Sequence, residues 1–498
     1  MNDSKCAAKL RAQLKRFFGE LSPHFSRPKV SFLGDMIYGL MAGGDVKLSS
    51  ICRAYRPRIT MKKAGDRLCM HLNDKMIKEA LHTFIAGKVA KRIRKDTLII
   101  VDPSDIQKPY ARQMDFLSKV WDGSKGEVGS NLGYYGCMAV ACENGGRRPM
   151  PMHLRFWSPD APGFTSENDE LEKAFGTIIA ATGGRGIFIY DRGGDNIEFY
   201  RYFLEKNVDF IVRLKSRYVF SWKRKISCEE LAEQCLTRYS DVITFDSHDK
   251  EVRITLHYGV VPVRLPDLKD KLLHMVVVRG FGQKPMMLLT TLAKTTTRTD
   301  LWQVVSAYIT RWRVEETIRY IKQAYNLEDI RLLRYAHLKN MAAIVLATAY
   351  FCMTWIGNSE KRSLLAKNIT DASLRIHELP DFHFYAIADG IRMLLSRCGR
   401  WSGFGKNDID DNRTYSSSST ATVDSRQSGG ASIFARRINP RDFFKNSSTT
   451  YRAPKNHTSP FVYRGDAIFR LKKLGDVQFP FTMAGAVSHG DSPRHFVH

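Results

Sequence analysis

Up to about residue 95, apolar residues recur at helical spacing among many cations, and helices are predicted throughout. Two short ones, Leu48–Tyr55 and Thr60–Leu72, flank Arg56-Pro57-Arg58, a spacing that permits a helix-turn-helix-like pair. The pattern then changes. Thr97–Val101 (TLIIV) is a short apolar, β-branched run ending at Asp102, and Gly133–Ala141 and Met150–Trp157 read as further strands. Between those two, Glu143-Asn144-Gly145-Gly146 is a hairpin-like turn. A Ser166/Asp169 capping pattern opens a helix over Ser166–Ala181. Gly186–Tyr190 is a buried strand ending at Asp191, Gly193-Gly194 makes a turn, Asp195–Lys206 is a helix and Asp209–Leu214 a strand. This order predicts an α/β fold with a mixed sheet.

Residues 217–295 carry short strand-like runs, among them Val252–Tyr258, Met275–Arg279 and Met286–Thr291, and read as a β-rich insertion. From Asp300 to about Arg397 the spacing is helical again. Met341–Gly357 carries no charge over 17 residues, just short of a comfortable membrane span, and basic residues lie on both sides of it. A buried core helix is the expectation, with no membrane partner. From about Trp401 the chain turns to Ser, Thr, Gly and Asn, which bury little, and a disordered tail is expected. The expected units are 1–95 (basic and helical), 96–216 (first part of the mixed-sheet core), 217–298 (β-rich insertion), 299–400 (helical completion of the core) and 401–498 (tail).

Charge gives this organisation a partner. The 498 residues hold 77 Lys+Arg against 51 Asp+Glu, a net charge of +26, and a surplus that large implies a polyanion. Nucleic acid comes first and an anionic membrane second. Residues 1–95 alone hold 21 Lys/Arg against 7 Asp/Glu. None of the nine cysteines forms a CxxC pair, so neither a zinc site nor a disulfide framework is suggested. The N-terminus has no apolar run suited to a secretory signal, and a cytoplasmic protein working on DNA at the nucleoid is expected.

Two strands end in an aspartate, Asp102 and Asp191, and a carboxylate there projects into the crevice where α/β sheets bind ligands. Such aspartates also cap turns and helices. As a pair they make a hard-oxygen site suited to Mg²⁺ or Mn²⁺. Asp105 and Asp195 compete locally and read as structural, Asp195 as a helix N-cap. A third acid comes from a helix expected over Leu301–Leu327. With Tyr308 at zero and about 100° per residue, Arg311 lies at about −60°, Glu315 at about −20°, Lys322 at about −40°, Arg319 near +20° and Trp312 near +40°. A salt-bridged face would explain the Arg311/Glu315 spacing but not the two aromatic residues. Cations that hold phosphate, rings that stack on bases and an acid that completes a metal site would explain all of them.

Tyr308, Arg311, Glu315 and Lys322 fit Y-x2-R-x3-E-x6-K. The chain resembles bacterial insertion-sequence DDE transposases of the IS-four group in that signature, in LIIVDPSDIQKPYA and IYDRGGDN around the two aspartates, in the strand FIVRLKSR, and in the β-rich insertion before the glutamate. The resemblance covers about residues 30–395. It implies an RNase H-like core in which Asp102, Asp191 and Glu315 are catalytic and bind Mg²⁺ or Mn²⁺. It also implies that Tyr308, Arg311 and Lys322 grip DNA, with Trp312 and Arg319 beside them, and that a homodimer pairs two transposon ends. Two features depart from the family: Pro103-Ser104 after the first aspartate, and a C-terminal hundred residues unlike its helical end. A nuclease without strand transfer and an inactive DNA-binding descendant are the alternatives.

Overall fold

The computed structural model describes residues 3–122, 127–247, 250–292, 297–373, 382–398 and Trp401. The expected tail lies outside them except for Trp401. The first α-helices among the described residues are α1 (Asp3–Leu21), α2 (Arg27–Gly43), α3 (Leu48–Tyr55), α4 (Met61–His71) and α5 (Ile77–Ala90). The predicted short pair is α3 and α4. Arg56 between them takes a left-handed backbone (φ 54°), and the Thr60 hydroxyl accepts from the Lys63 N–H to start α4.

The sheet follows: β1 (Leu98–Gln107), β2 (Ser118–Asp122), β3 (Glu127–Cys142) and β4 (Met150–Trp157), then α6 (Glu167–Thr182), β5 (Ile187–Tyr190), α7 (Ile197–Glu205) and β6 (Asp209–Arg213). Ser166 caps α6 by accepting from the Asp169 N–H, as its sequence suggests. Next come β7 (Tyr218–Ser221), β8 (Arg224–Ser227), α8 (Cys228–Gln234), β9 (Tyr239–Ser247), β10 (Lys250–Leu265), β11 (Leu268–Arg279) and β12 (Met286–Thr290). Helices α9 (Arg298–Thr310), α10 (Trp312–Ala324), α11 (Tyr335–Tyr350), α12 (Ser363–Asp371) and α13 (Phe384–Arg397) complete the described chain.

The strands form one mixed sheet ordered β2-β3-β1-β5-β6-β12-β11-β10-β7-β8, with β4 on β3 and β9 on β10. Among the described residues only β1/β5 and β5/β6 pair in parallel. β12 pairs antiparallel with β6, so the sheet passes without interruption into the strands expected for the insertion.

Two expectations need correction. β1 does not end at Asp102. It runs on through Pro103 to Gln107, paired with β3, while its parallel neighbour β5 stops at Tyr190. Past that point one side of β1 is an edge, where a proline fits without costing a sheet hydrogen bond. The predicted helix over Leu301–Leu327 is two helices that meet at Arg311. The physical cause is the β3–β4 turn. Asn144 donates to Gln303 O and accepts from the Ser306 hydroxyl, the Gly145 N–H donates to Thr310, and Gly146 O accepts from Arg313. Thr310 in turn donates back to Ser306 O, a bond that bends helices. Replacing Asn144 by Ala removes two of these clamps; a loss of about 1 kcal/mol is expected in urea unfolding, since each net bond is modest.

α11 is apolar all round, and every residue from Asn340 to Tyr350 is buried, as a helix of that pattern requires. It continues as a π-helical stretch, Phe351–Gly357. This segment is long and apolar enough to cross a membrane, but 94% of its most apolar window is covered by the protein, in keeping with the core-helix expectation. It packs against β4, α5 and α2. Asn340 ties it to the N-terminal helices, donating to Leu72 O and Asp74 O and accepting from the Lys78 N–H. Phe17 of α1 packs its ring 5.4 Å from Phe351 and 5.5 Å from Trp355. The N-terminal helices therefore share a core with the last third of the described chain.

Candidate active site

Strand register assembles the floor of the site. Leu98, Ile99 and Ile100 of β1 stand opposite Ile187, Phe188 and Ile189 of β5. Two more residues along the same register set Asp102 beside Asp191. On the other side of β5, Tyr190 stands opposite Val212, so the next position sets Asp191 beside Arg213. Asp102, Asp191 and Arg213 thus form one row at the place where the parallel strands stop. Neighbouring strands lie about 4.8 Å apart, and residues in one row share a face. Asp105, three residues beyond Asp102, points to the opposite face by strand alternation.

Asp102 is buried, and Asp191 is half-buried. The Asp191 carboxylate accepts from the Gly193 N–H at 2.8 Å, so it also caps the turn that follows its strand. That turn comes very close to the ring of Tyr190. A Cβ at Gly194 would lie 2.5 Å from two ring carbons, and one at Gly193 would lie 3.0 Å from the Asp191 carboxylate. Gly194→Ala is therefore expected to push the turn off Tyr190 and to cost about 1–3 kcal/mol, the usual cost of overpacking. A thermal melt checks this, and an unchanged midpoint would contradict it.

The helical side of the site hangs on the α9/α10 joint. Thr297 caps α9, accepting from the Asp300 N–H. Arg311 at the joint is 2% exposed and Tyr308 is 3% exposed. Nη1 of Arg311 lies 3.4 Å from Asp102 Oδ1, and Nη2 lies 2.9 Å from Glu315 Oε1. The second contact is close but not aligned as a hydrogen bond, and Glu315 Oε1 and Arg311 Nε are both buried without a hydrogen-bond partner. Burial opposes the charge on Arg311. The charges of Glu315, Tyr308, Asp102 and Asp191 outweigh it and hold the guanidinium protonated more firmly than usual. Burial raises the Tyr308 phenol, against the pull of Arg311 and Arg213. The rings of Tyr308 and Trp312 flank the Arg311 guanidinium at 5.8 and 5.6 Å.

The structure brings Asp102, Asp191, Tyr308, Arg311 and Glu315 together. Lys322 pairs with Glu328 at 3.0 Å. Trp312 and Arg319 are half-buried on α10, and Arg319 makes no ion pair among the described residues. Asp195 is structural, but it is not the cap of α7. Asn196 is that cap, and the nearly covered Asp195 carboxylate holds the Tyr200 hydroxyl, the Lys215 N–H and Arg217.

Sequence reading missed Arg213, which is bonded to Tyr308 and whose guanidinium burial makes easier to deprotonate than usual. Its position near the end of the predicted strand Asp209–Leu214 was the available signal; the register that sets it level with Asp191 comes from the structure. Hard carboxylate oxygens suit Mg²⁺ or Mn²⁺ by their chemistry. As arranged they do not fit one: among the described residues no group of three or more His, Cys, Asp or Glu side chains is set to hold a metal ion, and the Arg311 guanidinium lies between Asp102 and Glu315.

Taken together, this is an α/β protein with a mixed sheet whose acidic side chains meet where parallel strands end, the usual place for a ligand in such sheets. The family described as the transposase DDE domain matches residues 93–352, just over half of the chain, and the chain belongs to that family. Membership indicates transposase function and implies a DNA-cleaving enzyme; DDE transposases generally use divalent metals. A cryo-EM structure of the piggyBac transposase synaptic complex with hairpin DNA is similar over 78% of this chain and 76% of its own, at 11% identity and a TM-score of 0.35. No curated protein matches the chain.

Proposed function

We propose that this chain is a transposase of the bacterial insertion-sequence IS-four group that cuts the ends of its element and joins them to target DNA, with Asp102, Asp191 and Glu315 as its catalytic acids. The observation that carries the reading is the row that sets Asp102 beside Asp191, with Arg311 linking Asp102 to Glu315. Mg²⁺ or Mn²⁺ is the cofactor this oxygen chemistry favours. We read β4-β3-β1-β5-β6 as the RNase H-like core and β7 to β12 as its β-rich insertion.

The chain's own residues then divide the work. Arg319, Lys322 and Trp312, half-buried on α10, hold the DNA backbone and stack on a base near the cut. Arg213 keeps the Tyr308 phenol in place beside Arg311. Arg53, Arg56, Arg58, Lys62 and Lys63 are exposed on and between α3 and α4, which supports DNA contact by this pair. Pairing two ends calls for a dimer on DNA.

The test is incubation of the full chain with duplexes carrying its element's ends, with Mg²⁺, beside Asp191→Asn. Cleavage and joining that vanish in the variant are expected. Cleavage without joining would mean a nuclease. Salt-sensitive binding with no cleavage by the wild type would mean an inactive DNA-binding descendant.

A further inference from the structure

Arg311 stands between two of the acids that a divalent ion would use. Its contacts are poor for an arginine in a site shaped to keep it. A charge-assisted pair normally closes to about 2.7–2.9 Å, often as a two-pronged fork. Here one prong stops at 3.4 Å from Asp102, the other meets Glu315 at 2.9 Å without alignment, and Arg311 Nε and Glu315 Oε1 are left without hydrogen-bond partners in the interior. The residue also sits at the joint between α9 and α10, where the backbone is a single tight turn. Half-buried Trp312 lies beside it and offers the cation a ring face.

We propose that Arg311 is a resident cation that keeps divalent metal out of the acidic site until a DNA phosphate draws it away. The inference rests on the reading of Asp102, Asp191 and Glu315 as the metal-binding acids. A guanidinium and a divalent ion compete for the same negative charge, so only one can occupy it. Phosphate offers the guanidinium the planar two-oxygen partner that Asp102 and Glu315 fail to supply together. DNA binding then frees the acids, and metal binding follows. By linkage, metal must tighten DNA binding by the same factor as DNA tightens metal binding. The arrangement withholds metal from a chain that holds no DNA.

Mn²⁺ binding to the full-length protein, followed by the electron paramagnetic resonance signal of free Mn²⁺, tests this. Without DNA, Arg311→Met is expected to bind Mn²⁺ at least about tenfold tighter than wild type, and Asp191→Asn added to it should abolish the gain. Arg311→Lys keeps the charge but cannot span both carboxylates, and a smaller gain is expected. Circular dichroism melts establish that the variants fold. Should they not, the affinity of wild type for a mixed-sequence 30-base-pair duplex is measured with and without Mn²⁺ at matched ionic strength. A tenfold tightening is expected there, and no change would overturn the proposal. If both Arg311 variants bind Mn²⁺ no tighter than wild type while Asp191→Asn weakens wild-type binding, the acids do hold metal and Arg311 does not gate them. If no form of the protein, with or without duplex, shows Mn²⁺ binding that depends on Asp102 or Asp191, the metal-binding reading falls and the gate with it.

Discussion

Asp102→Asn is expected to lower cleavage of element-end DNA by roughly a thousandfold, the scale on which loss of one directed electrostatic group acts in a water-poor site. Asp105→Asn is expected to leave the rate within about twofold, as for substitutions away from a site. The two residues are three apart in one strand, and both are candidates by composition. Geometry separates them. Asp102 shares a row with Asp191 and meets Arg311, whereas alternation turns Asp105 to the other face, near Tyr135. The asparagine at 102 keeps its size and an acceptor for Arg311, so the loss reports charge rather than collapse. Single-turnover cleavage with both variants, beside a thermal melt, decides the matter. Equal losses in the two would remove the register argument.

Stability is expected to fall as the solution is acidified from pH 7 towards pH 5, ahead of most carboxylate titration. His82 and His153 stack inside the protein with ring centroids 4.2 Å apart. Burial lowers His82 to about 4, against the help of its contact with Leu154 O. Burial, the His82 charge and Arg155 push His153 well below its ordinary range, and neither of its ring nitrogens has a partner. Below the ordinary histidine value near 6.5 the unfolded chain takes up protons that the native chain refuses, so stability rises with pH across the window from about 4 to 6.5 and is complete above it. His82 alone accounts for about 2 kcal/mol lost by pH 5, at about 1.4 kcal/mol per pH unit. Urea unfolding at pH 7 and pH 5 measures the difference, and His153→Phe, which keeps a ring against His82, should reduce it. A flat profile would mean that the pair is protonated or hydrated in the native state.

Much of the scaffold was readable because its signals are local. β4 occupies the predicted residues, β5 and α6 begin one residue later than expected, and α6 starts at its capping serine. Local periodicity failed where distant contacts decide. The break at Arg311 is imposed by a turn some 160 residues earlier, which a helical wheel cannot see. β1 continues past Asp102 because β3 pairs with it there. The two aspartates were found as strand-end acids, but only register shows that they are level and that Arg213 completes their row. The wheel places Lys322 on the arc of Glu315 but cannot show the carboxylate it pairs with, Glu328, which lies beyond the helix.

The burial of α11 has a consequence for how a cell makes this protein. The helices of the first 90 residues leave the ribosome early, yet Asn340, Phe351 and Trp355, which cover and tie them, are made some 250 residues later. At ordinary translation speed the nascent chain waits tens of seconds with Phe17 and its neighbours uncovered. Chaperone supply during synthesis, rather than the final stability of the protein, is then expected to set how much soluble transposase accumulates, and a message cut short before α11 would yield a product fit only for proteolysis.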